Sequence, residues 1–182
     1  MPGYDIVNYG SIEHGYRKLC SACFTMEVAR LSDLSEFQHL PFEPVVMTDR
    51  SGKVHEFHFR THLMGTHVTV EAFELFDEQP SGYRFQTIGD PEEDLLALLG
   101  KLVEKMRRAL SIKHLEDDEL GLPIAEHLTV RGLIEWDEAR DGHVPLLLID
   151  GRKITWEAFG RLLMSFAGWQ FKLEIRDFIE DL

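Results

Sequence analysis

Cysteines, basic side chains and long apolar runs are all scarce in this 182-residue chain. The two cysteines are too few to build a disulfide framework in a chain of this length. No apolar run approaches the roughly 20 residues that span a bilayer. The first residues contain neither a basic region nor an apolar stretch, so we expect no signal peptide. These absences predict a cytoplasmic protein.

The shortage of basic side chains gives the chain a marked negative charge. Nineteen Lys and Arg residues face 32 Asp and Glu residues, for a formal net charge of -13. The acidic residues are spread along the chain, and a diffuse negative field repels phosphate backbones and anionic lipids. We therefore expect neither nucleic acid nor a membrane as a partner.

The apolar residues indicate a folded protein of mixed structure. The order of predicted elements is helix, several strands, long helix, strands, helix and strand, and short turns between strands favour antiparallel pairing. We predict an α+β fold in which antiparallel sheets with hairpins pack against a long amphipathic helix. A smaller C-terminal unit of β-hairpin, helix and strand follows. The predicted domains are 1–117 and 122–182, with one continuous domain over 1–182 as the alternative.

Three segments have helical patterns. The first runs from Cys20 to Leu31, after about 15 residues that look irregular. The second begins with Asp90 as its N-cap and has an apolar stripe that continues to Leu110. The third is capped by Thr155 and runs to about residue 166.

A hairpin is predicted where two alternating segments meet around residue 65. If residues 63–66 form a four-residue loop, Phe59 lies opposite Val70 on a shared apolar face. The same register places His62 directly opposite His67 on the other face. Opposed Cβ atoms are about 5 Å apart, so both imidazoles would reach one metal ion.

The last third contains three tryptophans and a strictly alternating segment. Trp169 and the apolar residues 171, 173 and 175 predict a strand to about residue 176. The alternative is a helix, since residues 171, 175, 178, 179 and 182 also fit a helical period. Trp136 and Trp169 fit core positions in this pattern. Trp156 follows a helix cap, and we expect it to be partly exposed and available for contact.

Cys20 and Cys23 form a CxxC motif, the most informative feature of the sequence. Thiolates at this spacing bind one soft cation together, because a tight turn brings the sulfurs close. Zinc needs about four ligands, so the predicted site adds two histidines, His62 and His67. His14 and His39 are the reserve candidates.

Two other uses of the motif stay open. The cysteines are also compatible with two reduced thiols at the start of a helix, one of them packed as a small apolar group. A redox site is the third use, since a helix N-terminus lowers the pKa of Cys20. A thioredoxin-type site, however, needs a buried strand just before the motif, and residues 14–19 do not have that pattern.

Two segments resemble an uncharacterised bacterial protein family. They are residues 19–24 (LCSACF) and residues 149–160 (IDGRKITWEAFG). The resemblance covers a minority of the chain and implies a bacterial source, but no activity and no catalytic residue.

Two functional hypotheses follow. The first is a non-catalytic cytoplasmic module, with or without a structural zinc ion at the CxxC motif, that binds a protein partner or itself. The alternative is a thiol-dependent or metal-assisted enzyme that uses Cys20 and nearby histidines. We favour the first because the CxxC motif has no accompanying catalytic set.

Overall fold

The computed structural model describes residues 2–13, 15–34, 36–118 and 123–177. In these ranges the chain forms three α-helices and three antiparallel sheets, which confirms the predicted α+β class. Within the same ranges, no helix combines the length and the apolar character that crossing a membrane requires.

The chain begins with a β-hairpin. Strands β1 (Ile6–Ser11) and β2 (Gly15–Cys20) pair antiparallel, with Ile6 opposite Cys20. The expectation of an irregular segment over residues 1–15 is therefore wrong. Most side chains of this hairpin are exposed, so its sequence lacks the apolar alternation that indicates a half-buried strand.

Helix α1 (Ser21–Leu31) follows the hairpin directly, with Cys20 as its N-cap. The predicted helix is thereby confirmed to within one residue. Its buried face consists of Ser21, Thr25 and Ala29, which are spaced four residues apart and so lie on one side of the helix.

A four-stranded sheet forms the centre of the larger unit. It contains β3 (Val45–Thr48), β4 (Val54–Met64), β5 (His67–Phe76) and β6 (Gln79–Gly89), in that order. Alternate side chains of these strands point into the core, as the period of two along a strand requires. The buried ones include Phe57, Leu63, Val68, Val70, Ala72 and Phe85.

The hairpin between β4 and β5 differs in register from the prediction. Met64 lies opposite His67, so the turn has two residues, and Gly65 adopts a φ of 66° that favours glycine. Consequently His62 faces Thr69, and the predicted pairing of His62 with His67 is wrong. The shift is two residues, which leaves every side chain on its predicted face.

Helix α2 (Leu95–Leu110) covers the apolar face of this sheet. Its N-cap is Asp94, whose Oδ1 accepts a hydrogen bond from the N–H of Leu96 at 3.0 Å. The predicted cap, Asp90, instead closes a turn ahead of the helix. The apolar stripe is confirmed at its buried positions, which are Leu95, Leu98, Leu102, Met106 and Leu110.

The C-terminal part contains a smaller sheet and one helix. Strands β7 (Leu133–Trp136), β8 (Pro145–Ile149) and β9 (Arg152–Thr155) pair in that order. Thr155 is the N-cap of helix α3 (Trp156–Met164), as predicted, and its hydroxyl accepts the N–H of Ala158 at 3.2 Å. The small core of this part includes Leu115, Ile149 and Ile154.

Among the described residues, the contacts between the larger and the smaller sheet include an ion pair and a close approach. Arg84 on β6 forms an ion pair with Glu135 on β7, with 2.6 Å between Nη1 and Oε1. Gly151 lies so close to the ring of Tyr83 that an added Cβ would come within 2.8 Å of it. The predicted domain boundary, after residue 117 and before residue 122, includes residues outside the described ranges, and the division stays a prediction.

Candidate functional site

The CxxC motif lies where β2 ends and α1 begins. The Sγ atom of Cys20 accepts a hydrogen bond from the backbone N–H of Cys23 at 3.3 Å. This contact satisfies one of the free N–H groups at the helix start, as a polar N-cap side chain does. Cys23 is exposed and Cys20 is partly exposed, so both thiols are open to solvent.

The two thiols affect each other's protonation. The backbone N–H of Cys23 lowers the pKa of the Cys20 thiol, and the Cys23 side chain adds to this by a hydrogen bond. The same side-chain hydrogen bond raises the pKa of Cys23. Cys20 is therefore the better nucleophile of the two, while Cys23 retains its proton to higher pH.

His62 lies next to this motif. Its Nε2 atom is 3.1 Å from the hydroxyl oxygen of Ser21, the first residue of α1. Burial, followed by the charge of Arg60, lowers the pKa of His62, so the ring is neutral at physiological pH. A neutral imidazole is the form that binds metals, but its hydrogen bond goes to Ser21.

Of the other predicted histidines, two lie among the described residues and one does not. His67 is exposed at the hairpin turn, opposite Met64. His39 is partly buried, and burial lowers its pKa. His14 is not among the described residues. Across the part of the chain that the structure describes, no three Cys, His, Asp or Glu side chains converge in a way that would hold a metal ion.

The structure therefore brings Cys20 and Cys23 together and places His62 beside the intervening Ser21. It does not bring His67 into this group. The four-ligand zinc site of Cys20, Cys23, His62 and His67 stays a prediction. The argument that placed His67 in it no longer holds, because His67 does not lie opposite His62 in the hairpin.

A second group, missed by the sequence interpretation, surrounds His55 in the core. Nδ1 of His55 is 2.8 Å from Oε1 of Glu74, and Nε2 is 3.3 Å from Oδ2 of Asp49. Both ring nitrogens of His55 therefore lie within hydrogen-bond distance of a carboxylate oxygen. His55 is 2% exposed, which leaves no access for a substrate and indicates a structural role.

Asp49 also anchors the turn before β4. Burial raises the pKa of Asp49, but hydrogen bonds from the Ser51 hydroxyl, the Lys53 N–H and His55 outweigh it and lower the pKa to about 2. The sequence Asp-Arg-Ser-Gly over residues 49–52 is typical of a turn. The contact between His55 and Glu74 has no such local signal, because the two residues are 19 positions apart and meet only through the sheet.

An exposed apolar segment follows α3. The predicted strand over residues 169–176 does not form within the described chain, and the whole segment is exposed. Trp169 is 66% exposed and Trp136 is 70% exposed, so the expectation that these two residues pack in the core is wrong. Trp156 is 50% exposed, as expected. The alternating apolar residues of this segment, here called the C-terminal apolar ladder, are Trp169, Phe171, Leu173 and Ile175.

The ladder has polar residues between its apolar ones, and these contact each other. Nζ of Lys172 lies 3.0 Å from Oε2 of Glu174. Nε of Arg176 also donates to Oε1 of Glu174, at 2.7 Å. The charged side chains between the apolar ones therefore pair with each other along one side of the segment. A strand with one polar and one apolar face has the same arrangement.

Comparison with known families gives two matches that adjoin each other. Residues 38–111 match a family described as a domain of unknown function (DUF7686), and residues 114–180 match another described in the same way (DUF7713). The expected resemblance to an uncharacterised family is thereby confirmed, and neither description gives an activity. No curated protein and no solved structure matches the chain.

Proposed function

We propose that this chain is a non-catalytic module of the cytoplasm that associates with a second copy of itself through the C-terminal apolar ladder. The observation behind the proposal is that four alternating apolar side chains, from Trp169 to Ile175, are 66–88% exposed. Soluble monomers rarely expose a contiguous apolar set of this kind, and such sets mark binding surfaces.

The size of the exposed surface supports a protein interface. Two large aromatic and two aliphatic side chains at this exposure offer roughly 500 Å² of apolar area, and a stable interface needs about 800 Å² per partner. Other exposed apolar side chains of the same C-terminal part would supply the remainder. They include Ile134, Trp136, Trp156 and Met164.

The charge of the segment supports a second copy as the partner. The whole chain has a formal charge of -13, which opposes association between copies. Residues 169–177, however, contain Lys172 and Arg176 against Glu174 and Asp177, so their net charge is zero. Two copies therefore meet at this segment without local charge repulsion.

Sedimentation of the purified chain over a range of concentrations tests the proposal. The wild-type chain is expected to shift from monomer to dimer as concentration rises. Phe171→Asp removes an apolar contact and should leave a monomer, while Gln170→Asp introduces the same charge one position away and should still dimerise. A wild-type chain that stays monomeric at the highest soluble concentration would refute the proposal.

Zinc at the CxxC motif is a second candidate, with a structural role. It is supported by the two adjacent sulfurs of Cys20 and Cys23 at the start of one helix. The remaining ligands would come from His62, after exchange of its bond to Ser21, or from another chain. Zinc supplies stability to small folds by binding such thiolates.

Metal analysis of untagged protein from zinc-supplemented preparations tests this candidate, with Cys20→Ser/Cys23→Ser as the control. The proposal predicts zinc in the wild-type chain and its loss in the control. Less than about a tenth of an equivalent in the wild type would exclude zinc.

A further inference from the structure

The C-terminal apolar ladder is self-complementary when two copies run antiparallel. We propose that two chains pair along residues 169–177 as antiparallel strands centred on Leu173, and that Lys172 and Glu174 determine the register. This inference rests on the proposed self-association and specifies its geometry.

The apolar residues match in this register. Antiparallel pairing about Leu173 places each Phe171 opposite Ile175 of the second copy, and the two Leu173 side chains opposite each other. Directly opposed side chains on one face of an antiparallel pair have Cβ atoms about 4.5–5.5 Å apart, close enough to exclude water together. These side chains are 69–88% exposed in the single chain.

The polar residues match in the same register. Lys172 lies opposite Glu174 of the second copy, and the two-fold symmetry repeats this contact, because an interface between identical surfaces contains each contact twice. Gln170 lies opposite Arg176. Lys172 and Glu174 already lie 3.0 Å apart within one chain, which shows that both project to the same side of the segment.

A neighbouring register lacks this match. Antiparallel pairing centred on Lys172 would still oppose apolar residues, with Phe171 facing Leu173. It would, however, place the two Lys172 side chains directly opposite each other, and like charges in that position destabilise a strand pair. Charge therefore selects Leu173 as the centre, where the apolar pattern alone would permit either register.

Backbone hydrogen bonding favours strand pairing over side-chain contact alone. Among the described residues, the segment after Trp169 belongs to no helix and no sheet. Within those ranges, the backbone of residues 170–175 therefore takes part in no strand pairing. Strand addition satisfies the N–H and C=O groups of such a segment and gives affinity, while the alternate side chains give specificity.

Charge exchange at the two positions tests the register. Lys172→Glu places two carboxylates opposite each other at both symmetric contacts, and Glu174→Lys places two ammonium groups together in the same way. Each substitution alone should weaken dimerisation at least about tenfold, since it replaces attraction by repulsion at two contacts. The double variant Lys172→Glu/Glu174→Lys restores both attractions and should dimerise within about threefold of the wild type.

Mixing the two single variants gives a sharper test. In this mixture, one chain carries Lys172→Glu and the other carries Glu174→Lys. In the mixed dimer, position 172 of the first chain and position 174 of the second hold Glu and Lys, which attract. Position 174 of the first chain and position 172 of the second hold Glu and Lys as well, so both contacts are attractive.

An equimolar mixture should therefore form a heterodimer about as tightly as the wild-type homodimer. Lys18→Glu on the exposed N-terminal hairpin is the matched control, because it makes the same change in net charge as Lys172→Glu. It should leave dimerisation within about twofold of the wild type.

The outcomes separate the register from the proposed function. If both single variants dimerise like the wild type, or if mixing fails to restore association, the register is refuted while self-association stands. If the wild-type chain does not dimerise at all, the proposed function and the register both fail. Dimerisation that is lost in Phe171→Asp but unaffected by either charge reversal overturns the register alone.

Discussion

The hydroxyl group of Thr25 lies 3.1 Å from the carbonyl oxygen of Thr61, to which it donates a hydrogen bond. The same hydroxyl accepts the N–H of Leu63 at 3.2 Å. The fully buried Thr25 side chain therefore hydrogen-bonds to the backbone of β4 at residues 61 and 63. These residues lie beyond the part of β4, residues 54–57, that pairs with β3. This contact also fixes the end of α1 that contains the CxxC motif, a short distance along the helix from Cys23.

Thr25→Val should destabilise the fold by about 2–4 kcal/mol, because it leaves one buried N–H and one buried C=O without a partner. Thr25→Ser retains the hydroxyl and loses only a methyl group, so it should cost about 1 kcal/mol. Urea unfolding measures both values. A loss in Thr25→Val no larger than that in Thr25→Ser would contradict the stabilisation assigned to these two hydrogen bonds.

Asp49 should make the fold sensitive to acid. Its pKa is about 2 in the folded chain, below the ordinary value of 3.8, so its contribution is fully present above about pH 4 and is lost as the pH falls towards 2. The loss amounts to about 2 kcal/mol. The free energy of unfolding, measured from pH 6 to pH 2, should fall more steeply for the wild type than for Asp49→Asn. Parallel curves would contradict this assignment.

Gly151 should tolerate alanine less well than Gly168. Both have a positive φ, of 70° and 90°, so alanine strains the backbone at either position by about 1–2 kcal/mol. Only at Gly151 does the new Cβ meet a side chain, the ring of Tyr83. We expect Gly151→Ala to cost about 1–3 kcal/mol more in urea unfolding than Gly168→Ala. Similar losses would mean that the contact between the two sheets adjusts freely.

The two thiols should differ in reactivity. In metal-free protein, Cys20 should be alkylated faster than Cys23 at neutral pH, since the Cys23 N–H and thiol lower the pKa of Cys20. Cys23→Ala removes the thiol contribution and should raise the pH at which Cys20 reacts at half its maximal rate. Mass spectrometry of alkylated peptides measures both rates. Equal rates, with midpoints near the free-thiol value of about 8.5, would also argue against a thiol-dependent enzyme.

The helices and the buried faces of the strands followed from the sequence, because their periods determine which side chains share a face. The positions of Leu98 and Leu102 in α2 are examples. The hairpin register did not follow, since a shift of two residues leaves the same faces buried. The short turn at Gly65 decided it, and that turn separated His67 from His62.

The segment after α3 shows a different limit of sequence interpretation. Alternation from Trp169 to Ile175 indicates side chains suited to a strand, but it does not indicate which chain supplies the neighbouring strand. The structure leaves these side chains exposed. Both observations agree if the partner strand belongs to another copy.

Hydrogen exchange at the backbone amides of residues 169–176 tests self-pairing most directly. At protein concentrations that give a dimer, these amides should exchange slowly, and dilution or Phe171→Asp should make them exchange fast. Fast exchange in this segment under conditions where sedimentation shows a dimer would contradict the account, because the copies would then meet elsewhere.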